Sequence, residues 1–271
     1  MPIARINDIN MYYEIHGKGE PLVFVPGMTG NVDWHFLHTP VFARYFKVIV
    51  FDNRGAGRTD APDIPYTIKM MADDLAGLLE KLDIDSAHIQ GASMGGFIAQ
   101  EFALHYPERV KSLTLVATGF GPSHGVFPTD PEVIEAFQHP KVLSPEENIK
   151  HSLGLIMSRD FMDNNLGLIN KIIEKMLEHP VSPQGAMRQG QAVMSFDTYD
   201  RLPEIRPPTL VIHGGGDRNL PVENARILAS KIPQAELVIL PKMGHGFQYE
   251  AFDESNRIIL DFLKRHSSSV K

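Results

Sequence analysis

Six short apolar runs punctuate the chain, and between them apolar residues recur at helical spacing. The runs are Pro21–Gly27 (PLVFVPG), Lys47–Asp52 (KVIVFD), Ala87–Gly91 (AHIQG), Ser112–Thr118 (SLTLVAT), Thr209–Gly214 (TLVIHG) and Glu236–Pro241 (ELVILP). Each has the length of a strand buried on both faces, and such strands alternating with helices form a largely parallel sheet. A further run, MYYEIHG from Met11, alternates polar and apolar residues and reads as a half-exposed antiparallel strand, with its turn at Gly17 to Glu20. Ile68, Met71, Leu75, Leu78, Leu79 and Leu82 mark one amphipathic covering helix. Val222, Ala225, Leu228, Ala229 and Ile232 mark another, with Pro221 placed for its first position. ESNRIILDFLKRH is a third, and SSSVK is expected to fray.

From Phe120 to Asp200 the rhythm changes. No strand-like run occurs there, while helical stretches rich in Leu, Ile, Met and Phe follow one another, as in NIKHSLGLIMSRDFM and LGLINKIIEKMLEH. Insertions are placed where they least disturb a sheet, over an edge or a loop-bearing end. The division expected is a core of residues 1–119 and 201–271 carrying a helical cap of residues 120–200. A helical subdomain away from any site is the alternative.

Within this frame, Gly91-Ala92-Ser93-Met94-Gly95 follows a buried strand and opens a helix that Pro107 stops. This is the context of a nucleophile elbow, in which a sharp strand-to-helix turn exposes a serine at the helix N-terminus. Side chains at the flanking positions would collide with neighbouring backbone, and glycine removes the collision. An ordinary glycine-rich turn would read the same in isolation.

A serine hydroxyl needs a base, and the base an orienting carboxylate. His245 lies in the loop after the last strand and Asp217 after the preceding one, so the order Ser93, Asp217, His245 matches the order of an α/β-hydrolase triad. Taken singly, Asp217 could cap the helix after Pro221 and His245 could stabilise its own loop. Their coincidence with the elbow favours catalysis.

These segments, PLVFVPGMTGN, FDNRGAGRTD, GASMGG, PTLVIHGGGDRNLPVENA and GHGF, resemble the α/β-hydrolase superfamily over nearly the whole chain, and within it the cap-bearing carboxylesterases and the 3-oxoadipate enol-lactonase group. The resemblance implies a mostly parallel eight-stranded sheet flanked by helices with an inserted cap, a Ser-Asp-His triad and no cofactor. One oxyanion-hole donor should be the backbone N–H of Met94; by the resemblance, the other is that of Met28. The resemblance leads one to expect His-Gly at the end of the first central strand, where this chain has Pro26-Gly27; proline fixes its own backbone angle and stiffens the loop but lacks that histidine's side-chain bonds, while Met28 keeps its amide. The Asp52–Thr59 segment suits a tight hydrogen-bonded turn and lacks a P-loop pattern.

Composition narrows the chemistry. With no cysteine, disulfides, thiolate metal sites and a cysteine nucleophile are excluded. A net charge of −7 offers no footprint for nucleic acid or anionic membranes. No apolar stretch approaches the roughly 20 residues of a membrane helix, and the N-terminus lacks the apolar centre of a secretion signal, so a cytoplasmic location is expected. His35 and His38, near Asp33, lack the further ligands a metal site needs, so no metal is expected.

The expected function is therefore hydrolysis of carboxylic esters with small to medium hydrophobic acyl groups, through an acyl-enzyme. Trp34, Met157 and Met162 are the candidate substrate contacts, the methionines because flexible thioethers form adaptable apolar walls. The same triad would serve lactones, including enol-lactones, carbon–carbon bond hydrolysis or perhydrolysis, and the fold also hosts small-molecule receptors. The partner expected is a small-molecule ester or lactone, with a homodimer left open.

Overall fold

The computed structural model describes residues 2–138 and 143–268. Residues 139–142 of the expected cap and the last three residues of the expected frayed tail lie outside these.

Eight strands form one sheet: β1 (Ile3–Ile6), β2 (Ile9–His16), β3 (Pro21–Val25), β4 (Lys47–Phe51), β5 (Ala87–Ala92), β6 (Val110–Val116), β7 (Thr209–Gly214) and β8 (Ala235–Leu240). Their order is β1-β2-β4-β3-β5-β6-β7-β8. The pairs β1/β2 and β2/β4 are antiparallel and all others parallel. The strand that the apolar runs leave unmarked is β1, whose four residues are too few to show a period. Strand β6 stops at Val116 because Ala117 turns into the left-handed region at φ +43.

Among the described residues eleven α-helices accompany the sheet. They are α1 (His38–Phe42), α2 (Ile68–Lys81), α3 (Met94–His105), α4 (Pro131–Gln138), α5 (Pro145–Ile156), α6 (Arg159–Asn164), α7 (Leu166–Glu178), α8 (Pro183–Met194), α9 (Glu223–Lys231), α10 (Phe247–Glu250) and α11 (Phe252–Arg265). Helix α9 begins two residues beyond Pro221, whose carbonyl accepts the Asn224 N–H at 2.9 Å.

Alternation along the strands divides the core in two, because successive side chains point to opposite faces. Val23, Val25, Ile49, Phe51, Ile89, Leu113, Leu115 and Val211 pack with the apolar sides of α2, α3 and α9. Leu22, Phe24, Val48, Val50, Val116, Leu210 and Ile212 pack on the other face with Phe42 of α1 and with Ile259, Phe262 and Leu263 of α11. Each such fully buried side chain contributes about 1.5–3 kcal/mol.

Helices α4 to α8 all lie between β6 and β7. Helices α5 to α7 build a smaller cluster, in which Ile149, Leu153, Met157, Ile169, Ile172 and Ile173 pack with Tyr249, whereas Ala192 of α8 joins the main core. The stretch NIKHSLGLIMSRDFM, which reads as one helical unit, is broken into α5 and α6. Met157 is extended (φ −105, ψ 157), and Ser158 caps α6 by accepting the Phe161 N–H. Among the described residues no helix is long and apolar enough to cross a membrane.

Candidate active site

Because β3 and β5 to β8 run parallel, the loops after their C-terminal ends share one edge of the sheet, where ligands bind in open α/β sheets. Ser93, Asp217 and His245 follow β5, β7 and β8 in turn.

At the end of β5 the chain reverses through Ser93, at φ +52 and ψ −121, and enters α3 at Met94. A non-glycine residue in this region carries strain of order 1–3 kcal/mol. The flanking glycines make the turn sterically feasible. A methyl group on Gly91 would stand 2.2 Å from the Gly95 carbonyl oxygen, and one on Gly95 2.1 Å from that of Val25. The elbow is pinned by the Ser93 N–H donating to Val116 O at 2.9 Å and by Thr118 Oγ1 donating to Ser93 O at 2.7 Å. Ser93 Oγ itself makes no hydrogen bond among the described residues.

The Asp217 side chain is fully buried and that of His245 mostly so, at 13% exposure, with Nδ1 of His245 2.6 Å from Oδ2 of Asp217. Oδ1 of Asp217 accepts the backbone N–H groups of Asn219 and Leu220 at 2.8 and 2.9 Å. Sequence reasoning missed a further neighbour: His213, at the end of β7, lies with Nε2 3.1 Å from Oδ2 of Asp217 and 2.8 Å from Leu220 O. Burial acts to raise the Asp217 carboxyl, but the two imidazoles outweigh it and hold it far below the usual carboxylate range. For His245, burial acts downward and the Asp217 carboxylate more than offsets it, so the imidazole titrates above its ordinary 6.5.

The loop after β3 closes the other side. A methyl group on Gly27 would stand 3.3 Å from Ser93 Cβ, so Met28 follows directly alongside the serine. Neither the Met28 nor the Met94 backbone N–H donates to another described residue. Support for this loop, where relatives place His-Gly, comes from the Asp52–Thr59 turn. Asn53 Nδ2 donates to Pro26 O at 2.9 Å, and Asp52 Oδ1 accepts the Val32 N–H at 2.7 Å. Arg58 holds Asp52 in turn through Nε, at 2.9 Å.

The inserted helices touch these loops directly. Gly246 donates its N–H to Ile156 O at 2.7 Å. Glu250, another residue that the sequence left unmarked, accepts the Gly244 N–H at 2.9 Å and the Ser158 N–H at 3.2 Å. Arg218, next to Asp217, donates to Gly154 O at 2.6 Å and pairs with Asp130 and Glu132.

The three candidate substrate contacts meet in one apolar cluster. Met157 is buried in it, and Trp34 and Met162 pack against it partly exposed. Trp34 stacks obliquely on Tyr249 at 6.0 Å, and the Tyr249 hydroxyl donates to Trp34 O. His35 and His38 are buried beside Phe24 and Phe252, and burial pushes them down to about 3 and about 4, so both are neutral at pH 7. Elsewhere Asp33, Glu178 and His179 bring metal-ligating atoms within 4.8 Å of one another. Asp33 already accepts from His179 and Arg58, and Glu178 pairs with Lys175.

A family model described as the alpha/beta hydrolase fold matches residues 20–252. The provisionally named carbamate hydrolase RutD of Azorhizobium caulinodans is 30% identical over 97% of this chain and 98% of its own length. A 2-hydroxy-6-oxononadienedioate/2-hydroxy-6-oxononatrienedioate hydrolase of Burkholderia vietnamiensis is 33% identical over 95% of this chain and 92% of its own. Among solved structures, the enol-lactonase of Burkholderia xenovorans LB400 superposes with a TM-score of 0.83 at 25% identity, covering 97% of this chain and 99% of that one.

Proposed function

The chain belongs to the α/β-hydrolase family, and on that premise we propose that it is a serine hydrolase of neutral carboxylic esters, with Ser93, Asp217 and His245 as its triad. His245 Nε2 takes the proton of Ser93 Oγ as the oxygen attacks the carbonyl carbon. Asp217 holds the imidazole with its proton on Nδ1 and stabilises the imidazolium that forms. The Met28 and Met94 amides receive the developing oxyanion, each such donor being worth about 2.7–4 kcal/mol. His245 then protonates the leaving alkoxide, and water, deprotonated by the same imidazole, releases the acyl group from Ser93.

The observation that carries this reading is the pairing of a strained serine at φ +52 with two neighbouring amides that have no acceptor among the described residues. In this reading helices α4 to α8 act as the cap, and the cluster around Met157, Met162 and Trp34 forms its apolar side, suiting small to medium hydrophobic acyl groups.

Neutral substrates are favoured over dicarboxylates because the guanidinium groups of the flanking loops and of α8 are already paired. Arg54, Arg58, Arg188 and Arg218 are each paired with carboxylates of the chain itself. Lactone opening is the second reading, favoured by the likeness to an enol-lactonase over nearly the full length. A lactone is an ester closed on itself, and the same steps open it.

The test is steady-state hydrolysis of p-nitrophenyl esters from acetyl to dodecanoyl, with wild type and Ser93→Ala side by side, and of lactones followed by proton release. Serine-dependent turnover with a chain-length optimum supports the ester reading. Turnover on lactones alone moves the assignment to the second, and full turnover by Ser93→Ala overturns the mechanism.

A further inference from the structure

Residues 27–30 form a tight turn closed by the Gly30 N–H on Gly27 O at 3.1 Å. Its third position is Thr29, at φ +63. Turns with positive φ at this position take glycine there, and a β-branched residue in the left-handed region is a steric outlier. The strained residue directly follows Met28, and something must hold it.

What holds it comes from the inserted helices. Gln189 of α8 is fully buried, its Oε1 accepting the Thr29 N–H at 2.8 Å and its Nε2 donating to Arg54 O at 2.9 Å. Both ends of the side-chain amide are therefore committed, one to the turn beside Ser93 and one to the Asp52–Thr59 turn. Helix α8 cannot drift from this position easily. A methyl group on Gly185, one turn earlier, would stand 2.0 Å from Gly55 O, so the two backbones are in contact. Arg188 donates to Pro62 O at 3.0 Å from the neighbouring position.

We infer that Gln189 is a positioning residue for the reaction: by accepting the Thr29 N–H it fixes the Met28–Thr29 peptide plane at the centre of the Gly27–Gly30 turn, and through Met28 it steadies the adjoining Gly27–Met28 plane, whose N–H is aimed at the oxyanion. The inference rests on the assignment of Met28 as an oxyanion donor. A cap residue thereby sets the geometry of the transition state and not only the shape of the substrate pocket. Removing the acceptor frees Thr29 to relax to negative φ, which displaces Met28. Since a misplacement of 1 Å can cost about 10²-fold, Gln189→Met, similar in size but without either hydrogen bond, is expected to lower kcat about 10- to 100-fold on every ester, with KM within about twofold.

Thr29→Gly supplies the control. Glycine occupies the left-handed region freely, so the turn needs less holding and the loss caused by Gln189→Met shrinks at least about threefold in that background. A substrate contact would instead raise KM with a dependence on chain length, and a purely structural role would lower the melting temperature and leave kcat per folded molecule unchanged.

The experiment is kcat and KM across the ester series for wild type, Gln189→Met, Thr29→Gly and the double variant, with the rate of fluorophosphonate labelling of Ser93 as a readout that needs no known substrate. Parallel losses in kcat and labelling rate, attenuated by Thr29→Gly, support the inference. Unchanged kcat and labelling, an effect on KM alone, or an equal loss in both backgrounds overturns it. Where Gln189→Met does not accumulate folded, Gln189→Asn, too short to span both partners, carries the same test. If wild type is not labelled at Ser93 the catalytic assignment itself fails; if Ser93 labels normally in all variants, only the role of Gln189 does.

Discussion

Replacing Asp217 by asparagine tests the proposed triad through a proton, not through a missing side chain. Oδ1 of Asp217 accepts two backbone N–H groups, so the asparagine amide must keep its oxygen on that side to avoid facing two donors with a third. Its NH₂ group then points at Nδ1 of His245, which lies 2.6 Å from Oδ2 in the native pair. To accept that donor, His245 must carry its proton on Nε2, the nitrogen that has to be free to take the proton of Ser93. The side chain keeps its place while the tautomer becomes wrong, a change known to cost about 10⁴-fold in kcat in a serine-protease triad, or about 5.5 kcal/mol. Loss of the negative charge also removes what holds His245 above 6.5 against the downward effect of burial. The proposed mechanism needs neutral His245, so kcat/KM is expected to fall as pH drops through a value above 6.5, and in Asp217→Asn this acid limb should move to lower pH. The assay is p-nitrophenyl ester hydrolysis from pH 5 to 9, with circular dichroism to confirm the fold. A folded Asp217→Asn protein within about tenfold of wild-type kcat, or with its acid limb unmoved, would refute the reasoning.

Two further predictions concern the scaffold. Gly95→Ala drives its methyl group to 2.1 Å from Val25 O and 2.8 Å from Pro26 O, both backbone atoms of the central strand and its loop. Destabilisation of about 1–3 kcal/mol or more with loss of ester turnover is expected. Gly154→Ala, with nothing within 4 Å of the new methyl, should instead raise the melting temperature slightly by helix propensity. Equal melting temperatures for the two variants would count against the elbow geometry. Arg54→Met strands the buried Asp74 carboxylate, which Arg54 Nε meets at 2.8 Å and which otherwise retains Asn7 as a partner. The half-exposed Asp8 adds less, so the Asp74 pair dominates an expected loss of about 3–5 kcal/mol, read by urea unfolding. Arg54→Met combined with Asp74→Leu should recover stability relative to Arg54→Met alone.

The parts of the fold that were legible in the sequence are those that repeat. Six compact apolar runs located β3 to β8 because strands buried on both faces leave continuous aliphatic stretches. Strand ends in turn located Ser93, Asp217 and His245, since each residue immediately follows or lies just beyond one. What could not be read is set by contacts distant in the chain. The pairing of β2 with β4 before β3 leaves no trace in any single run. The break between α5 and α6 depends on Ser158 preferring a cap to continued helix, and its purpose, Ile156 O on Gly246 N, lies 90 residues away in numbering. Gln189 is one of three glutamines in a polar helix, and nothing in PQGAMRQGQAVM distinguishes the buried one. His213 did carry a signal, being the one polar side chain of TLVIHG besides the opening Thr209, and lying at the C-terminal end of the strand.

These long-range contacts have a common direction. The loop after β3 receives Gln189 of α8, the Asp217 loop is tied through Arg218 to Gly154 of α5 and to Asp130, and the His245 loop is tied through Gly246 to Ile156 and through Glu250 to Ser158. Each of these three loops is thus bonded to the insertion between β6 and β7, whereas the Ser93 elbow is pinned by β6 and its following residues. The proposed nucleophile belongs to the rigid sheet, and the groups proposed to align with it are partly set from above. On the proposed assignment, a substitution in the insertion is transmitted to the His245, Asp217 and Met28 loops as well as to substrate shape. If the proposed function holds, changes of substrate within such an architecture should move kcat and KM together, because the helices proposed to line the acyl pocket also hold the loops of the proposed triad and oxyanion donor.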